Sequence, residues 1–442
     1  MYNILDFGAA SDGVTNCAPA VQKAVDECFQ NGGGVIYVPY GKYMMSSVHL
    51  HDNIHFVFEP GTLILGSLNP DDFDEREKID YPLYQDCSHS YFRRSLFWGE
   101  DCENISFSGN ATIDMREVWE NTPVPSENAW VGCRANKIIS LKNCKDILIS
   151  DLKMYNATDL AVYLAGCENA RITGLSLYVN IDGISPDCCK NVVISDCNVV
   201  AGDDGIVLKT SYTLNKKQSC ENITITNCVV SSRMCAIKFG TETNGDFKNI
   251  SISNCSVYDT CLTAVALEIA DGGVMDGITV TGITMQNVGT PFIIMLTNRA
   301  NGPEGTKVGK IKNVTIDNLT AIGSYGHIKP IKYTTIVEDD ELQDMPNIVT
   351  SSVVGQPESY LENITLSNIN ITVPGGGTEE DRKIVVPEIP DKTPSASAFG
   401  TKLPASGIYF RYVKNLSLNN VNVHTMSEDK RECMVFENVD LA

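Results

Sequence analysis

Long apolar runs are missing from this chain. None approaches the ~20 residues that cross a bilayer, which excludes a membrane-spanning helix. Positive charge is scarce: 34 Lys and Arg face 55 Asp and Glu, a formal net charge of −21. Nucleic acid and anionic membrane surfaces select basic faces, so neither is an expected partner, and a long polyanionic substrate is disfavoured unless a local basic pocket exists. The opening MYNILDFGAASDG carries no basic segment and no apolar stretch before a small-residue cleavage site. No signal peptide is seen, and a cytoplasmic location is expected. Zinc-like CxxC pairs are absent although there are 16 cysteines, so no metal and no cofactor is expected. Histidine is rare, six in all, with none between His89 and His327.

What is present is a repeat. From Cys102 a unit recurs in which a turn precedes Asn-Ile or a close variant and then a short apolar strand. It is seen at Asn104, Asp146, Asn191, Asn222, Asn249, Gly277, Asn313, Asn363 and Asn415. Central intervals of about 22 to 31 residues are solenoid periods, and longer ones imply loops inserted at particular rungs. The Asn positions are expected to stack as a ladder at the turns. Cysteines recur in the same context, at 102, 144, 167, 189 and 220, and a second set sits at 197, 228 and 255. They read as small buried thiols at equivalent turns. With no helical pattern between the strands, a barrel and a doubly wound α/β fold are excluded. The expected fold is all-β, a single-domain right-handed parallel β-helix over residues 1–442.

Before the repeat, Tyr2 to Phe7 reads as a strand followed by a turn. A helix lies within 15–31, from about Cys17, with Ala20, Val21, Ala24, Val25 and Cys28 at helical spacing. Gly32-Gly33-Gly34 stops it. Such a helix covers the open end of a solenoid. Strands are expected at 35–39, 43–50, 54–59 and 62–65, and the last ones at 408–412 and 416–423. Three inserted loops are expected, at 69–94, 339–357 and 374–404, the last partly flexible from its Pro, Gly and Ser content.

The stretch from Asn180 to Thr210 holds the densest chemistry. Asp182 and the pair Asp203-Asp204 flank one apolar run, Val192-Val193-Ile194. If one rung separates them, stacking at about 4.8 Å would bring three carboxylates to one face. Crowded carboxylates raise at least one pKa into the range of a general acid, and an acid beside ionised carboxylates is equipment for cleaving a glycosidic bond. The alternative is that these Asp and Gly residues serve turns only.

These residues resemble glycoside hydrolase family 28, the polygalacturonase family. FGAASDGVTNCAPAVQKAV is similar to its common opening, Asn180-Ile181-Asp182-Gly183 to its N-T-D-G motif, and Gly202-Asp203-Asp204 to its G-D-D motif. The resemblance implies an inverting hydrolase with Asp203 as general acid and Asp182 and Asp204 activating water. Two motifs depart. The G-H-G motif falls in Arg233 to Glu242 without histidine, Met234 or Cys235 taking its place, and Lys238 is the candidate substitute cation. The R-I-K motif, whose cations bind the substrate carboxylate, aligns with Ala266-Leu267-Glu268. Glutamate there repels a uronate and can accept hydrogen bonds from a neutral sugar.

The expected activity is therefore exo-hydrolysis of a small oligosaccharide or glycoside, with a neutral sugar in the central subsite. Candidate substrate-binding residues are Asn180, Lys209, Arg233, Lys238 and Glu268, with Glu242 and Asp271 as weaker ones. Lys209 is expected near the aspartates. The alternative is a polygalacturonase whose basic pocket is rebuilt from Lys209, Arg233, Lys238 or Arg299. A β-helix lyase or glycosyl transferase, and a non-catalytic carbohydrate-binding β-helix, are further alternatives. Trp98, Trp119 and Trp130 could offer faces to a sugar ring or simply pack.

Overall fold

The computed structural model describes residues 1–85, 87–116, 136–322, 350–400 and 402–442. They fall into two compact units: residues 1–201 with 213–216, and residues 202–212 with 217–442. Each is a stack of short parallel strands, coiled as a right-handed parallel β-helix.

In the first unit three strand columns run side by side. Lys145–Ser150 lies between Glu103–Ser108 and Glu168–Thr173. Val162–Ala165 lies between Lys137–Lys142 and Ile184–Asp187. Ser176–Val179 lies between Lys153–Tyr155 and Asn198–Ala201. In-register pairing stacks like residues inside: Ile105, Ile147, Ala170 and Val192 form one buried row. Strand alternation points these side chains inward on every coil, which is why short apolar runs suffice.

The expected asparagine ladder is present. Asn104, Asn169, Asn191, Asn249, Asn313, Asn363 and Asn415 all have φ between 53° and 59°. Asparagine tolerates this left-handed bend because its short polar side chain bonds locally. Here it bonds across rungs: Asn191 donates to Asn169 at 3.0 Å, Asn249 to Asn222 at 2.8 Å, and Asn415 to Asn363 at 2.7 Å. The repeated cysteines are buried free thiols. Cys144, Cys167 and Cys189 each donate to a carbonyl of a neighbouring coil.

The helix is Ala18–Gln30, burying Ala20, Val21, Ala24, Val25 and Cys28. After it, Gly33 has φ 98°, and a Cβ there would lie 2.3 Å from that of Asn53. Only glycine fits that turn.

Several boundaries differ from expectation. The opening strand is Tyr2–Asn3 alone. Ile4–Phe7 is a 3-10 turn, because the Asn3 side chain caps Leu5 N–H and Gly8 closes it at φ 94°. A strand, Asp12–Asn16, occupies the expected turn. The run 43–50 is two strands, Lys42–Met45 and Val48–His49. In the expected loop at 339–357, Ser351–Val354 is a strand paired with both Ile293–Met295 and Ile408–Arg411; residues 339–349 lie outside the described residues. The closing strands are one, Ala405–Thr425, and a further strand, Glu432–Leu441, follows.

Two insertions are packed. Phe92 of the 69–94 segment is buried and stacks on Tyr163 at 5.1 Å, with Leu160 and Ala165 beside it. The 374–404 segment was expected to be partly flexible. It holds a short helix, Glu379–Arg382, closed by a capping box, and buries Val386, Ile389, Phe399 and Leu403 against Met295, Val354 and Tyr409. Apolar side chains spaced without period, not composition, decide its order.

Candidate active site

Gly202 to Gly205 leads into the strand Ile206–Thr210 in the second unit. Gly205 is dictated by close approach, since a Cβ would meet Val230 at 2.5 Å and the Ala236 carbonyl at 2.6 Å. The Asp203 carbonyl accepts from the Ser232 hydroxyl and from Met234 N–H, which ties this turn to the next coil. Asp204 is buried. Its Oδ1 accepts from Cys235 N–H at 3.1 Å and its Oδ2 from the Lys238 ammonium at 3.0 Å.

Lys238 comes from the strand Cys235–Thr243. Burial works against its ammonium, but Asp204, then Glu268, outweigh burial and hold its pKa well above that of ordinary lysine. Lys238 thus holds a cation against Asp204. Cys235, beside it, does not replace a basic group: burial, reinforced by Asp204, pushes its thiol well above the ordinary value. Its side chain packs with Ala266, Ile293 and Ala396.

Two of the other candidate cations, Lys209 and Arg299, are engaged by acids. Lys209 meets Glu242 at 2.9 Å, so the acid it is seen to pair with is on the next coil. Arg299 grips buried Asp271 with two hydrogen bonds, Nε at 3.0 Å and Nη2 at 2.6 Å, and also reaches the Thr241 carbonyl. Asp271 further accepts from Thr243 and Asn301 N–H, which makes it a built anchor and not a plain turn residue. Arg233 has a buried Nε with no hydrogen-bond partner and lies close enough to Cys261 to act on its thiol.

Glu268 lies on the strand Ser256–Ile269 and is 1 % exposed. Lys238 registers with Ala266, two residues earlier on the same face, so Glu268 is its diagonal neighbour. Burial, countered by Lys238 and aided by Asp204, raises its pKa to about 7. Beside it, Ala396 of the 374–404 segment shares a buried cluster with Ala266 and Ile293, and Val386, Ile389, Phe399 and Leu403 share another with Met295, the rung partner of Glu268.

In the first unit Asp182 is buried and its Oδ2 accepts from the Ser185 hydroxyl at 3.4 Å. Its carbonyl accepts from Ala161 N–H. Asn180 is buried with neither amide atom hydrogen-bonded, although its N–H donates to the Ala157 carbonyl. Sequence reading missed the buried ion pair between Lys137 and Asp159, 3.2 Å apart, although their separation of 22 residues is one period of the repeat. Trp98 packs on His49 at 4.0 Å and donates to Asp74; Trp119 and Trp130 lie outside the described residues.

A family model described as rhamnogalacturonase A/epimerase, pectate lyase-like, matches residues 1–258. A probable polygalacturonase of Vitis vinifera is 25% identical over 313 residues, which is 66% of this chain and 62% of that protein. The chain spans about six-tenths of the length of the curated relatives it matches. An exopolygalacturonase from Thermotoga maritima superposes with a TM-score of 0.67 at 18% identity, covering 94% of this chain and 91% of its own. A family 28 exopolygalacturonase from Yersinia enterocolitica gives 0.65 at 16% identity, covering 99% and 78%. At these identities the likeness of structure speaks for the coil architecture alone.

Proposed function

Because the chain belongs to the rhamnogalacturonase A/epimerase, pectate lyase-like family, we propose that it is an inverting glycoside hydrolase acting from the end of a small oligosaccharide or glycoside. The observation that carries this reading is the carboxylate of Asp204, fixed by Cys235 N–H and the Lys238 ammonium in the turn that also bears Asp203. A turn that only reversed the chain would have no use for a buried, doubly bonded carboxylate beside a second, less buried one. Asp203 gives its proton to the leaving oxygen. Asp204 and Asp182, assigned by the motif pair, orient and deprotonate the attacking water. Water adds from the face opposite the leaving group, and the anomeric configuration inverts. Lys238 positions Asp204 and offsets negative charge around it.

The sugar beside this turn is neutral. Lys238, Lys209 and Arg299 each meet a carboxylate, and the R-I-K position presents buried Ala266 and Glu268. Among the described residues, few of these cations are then left to neutralise a uronate. One observation favours a second reading, hydrolysis of galacturonides: the Arg233 Nε has no partner and could receive a carboxylate.

Turnover of aryl glycosides and oligosaccharides, neutral and uronic side by side, tests both, with Asp203→Asn as blank and proton NMR to follow the anomer first released. Neutral-sugar cleavage with inversion, lost in Asp203→Asn, is expected. Cleavage of galacturonides alone selects the second reading. Turnover unchanged in Asp203→Asn overturns the catalytic assignment.

A further inference from the structure

A cleft of about 550 Å³ opens on the second unit, lined by Tyr360, Lys414, Phe436, Asn438, Val439 and Asp440. Its volume falls within the roughly 300–1,000 Å³ of small-molecule sites. It is remote from the turn that bears Asp203 and Asp204. Val207, Lys238, Ala266, Ile293, Ser352, Tyr409 and Val435 are successive register partners. Six steps of strand spacing amount to about 29 Å along the stack.

Phe436 gives the cleft a flat apolar wall. It pairs with Phe410, and the two rings lie parallel, with centroids 4.9 Å apart and planes 4° apart. Phe410 is fully buried while Phe436 is 44% exposed, so one face of the outer ring is covered and the other is open. Polar groups border it. The Lys414 ammonium stands 4.9 Å from the centroid of the Tyr360 ring. Glu362 is the register partner of Lys414 on one side, and Asp440 follows the partner of Val413 on the other, yet the ammonium pairs with neither. Register slips between Val413 and Leu416, which takes Lys414 and Asp440 out of the ladder. Among the described residues the side chains of Lys414, Asn438 and Asp440 make no hydrogen bond or ion pair.

An ammonium donates, a carboxylate accepts and an amide does both. That mixture suits a ring of hydroxyls, each of which gives and takes a hydrogen bond. The open face of Phe436 suits the C–H side of the same ring, which buries apolar area against a flat surface. A carboxylate on the ligand would find a single ammonium with Glu362 and Asp440 on the neighbouring coils, in a chain of net charge −21. We propose that this cleft is a second, non-catalytic binding site for a neutral pyranose sugar, held by Phe436, Asp440, Asn438 and Lys414. The site goes beyond the glycosidase reading, since none of these residues belongs to the turn of Asp203 and Asp204.

The test is titration calorimetry of the full chain with the methyl glycosides of galactose, glucose, mannose and rhamnose, and with galacturonate beside them. Wild type is compared with Phe436→Leu, which keeps apolar bulk without the flat face, with Phe436→Tyr, which keeps the face, and with Asp440→Ala. Thermal melts establish that each variant is folded. At least one neutral glycoside should bind more tightly than galacturonate. Phe436→Leu and Asp440→Ala should each weaken it about tenfold or more. Phe436→Tyr should restore it, and Asp203→Asn should leave it unchanged. No neutral-glycoside binding to wild type, binding unaltered by Phe436→Leu and Asp440→Ala, or tighter binding of galacturonate overturns the site. The two readings fail separately. A chain that binds neutral glycosides through Phe436 and cleaves none keeps this site and loses the hydrolase reading. One that cleaves them, and whose binding ignores Phe436 and Asp440, keeps the hydrolase reading and loses this site.

Discussion

The Lys238 ammonium sits 3.0 Å from Asp204 Oδ2, and the two residues come from successive coils of one stack. The pair is nearly buried, with 15% of the lysine and 4% of the aspartate side chain exposed. Removing one partner therefore strands the other in a poorly solvated place.

Replacing Lys238 by Met keeps the volume and deletes the charge. Breaking a buried pair from one side costs about 3 kcal/mol or more, and kcat should fall by about a hundredfold as Asp204 loses its fixed orientation. Urea midpoints and single-turnover rates measure the two effects. A variant as stable and as active as wild type would show that the pair has no role.

Glu268 makes stability depend on pH. Its folded pKa of about 7 lies above the ordinary 4.5. Below 4.5 both folded and unfolded chains hold the proton. Between 4.5 and 7 the folded chain keeps a proton that the unfolded chain releases, so stability falls as pH rises, by up to about 3 kcal/mol. Glu268→Gln should flatten that part of the profile. Denaturant midpoints at pH 4.5, 6 and 8 decide it; parallel profiles for the two proteins would refute the assignment.

Asn363 is a middle link of the ladder, donating to Asn313 at 2.8 Å and accepting from Asn415 at 2.7 Å. Its φ of 57° costs an alanine about 1–2 kcal/mol. Asn363→Ala should lower stability by about that much. Asn363→Gly, which accepts the bend but not the bonds, should lose less. Melting temperatures that rank glycine below alanine would contradict the ladder.

Phe399 holds the 374–404 segment down, its ring edge-on to Tyr409 with centroids 6.3 Å apart. Phe399→Ala costs about 3 kcal/mol at a buried aromatic site. Cleavage by a broad-specificity protease within 374–404 should then quicken at least tenfold. Unchanged cleavage would mean that the segment is held elsewhere.

Much of this was legible before any coordinates. Asn and Cys in one repeated context marked the coils, since only a recurrent left-handed turn with a stacked buried thiol asks for both. Asp203 and Asp204 stood out against that background. Cross-rung partners were only partly legible: Asp271 and Arg299 are 28 residues apart, the spacing that also separates Asn249 from Gly277, so the period held the pairing signal. The packing of 374–404 was hidden, because Val386, Ile389, Phe399 and Leu403 follow no period in a segment whose Pro, Gly and Ser resemble a free loop. For the same reason Glu268 looked like a residue facing a groove, although its carboxyl is covered.

The asparagine ladder separates alignment from spacing. Asn249 finds Asn222 after 27 residues, and Asn363 finds Asn313 after 50, with the same kind of bond at 2.8 Å in each case. Each asparagine acts as a ratchet tooth that locks its coil onto the one below, whatever length of chain intervenes. Loops beside the coils are then free to lengthen, shorten or exchange without shifting a single strand. A scaffold of this kind can acquire a new covering segment while Asp203 and Asp204 stay where they are.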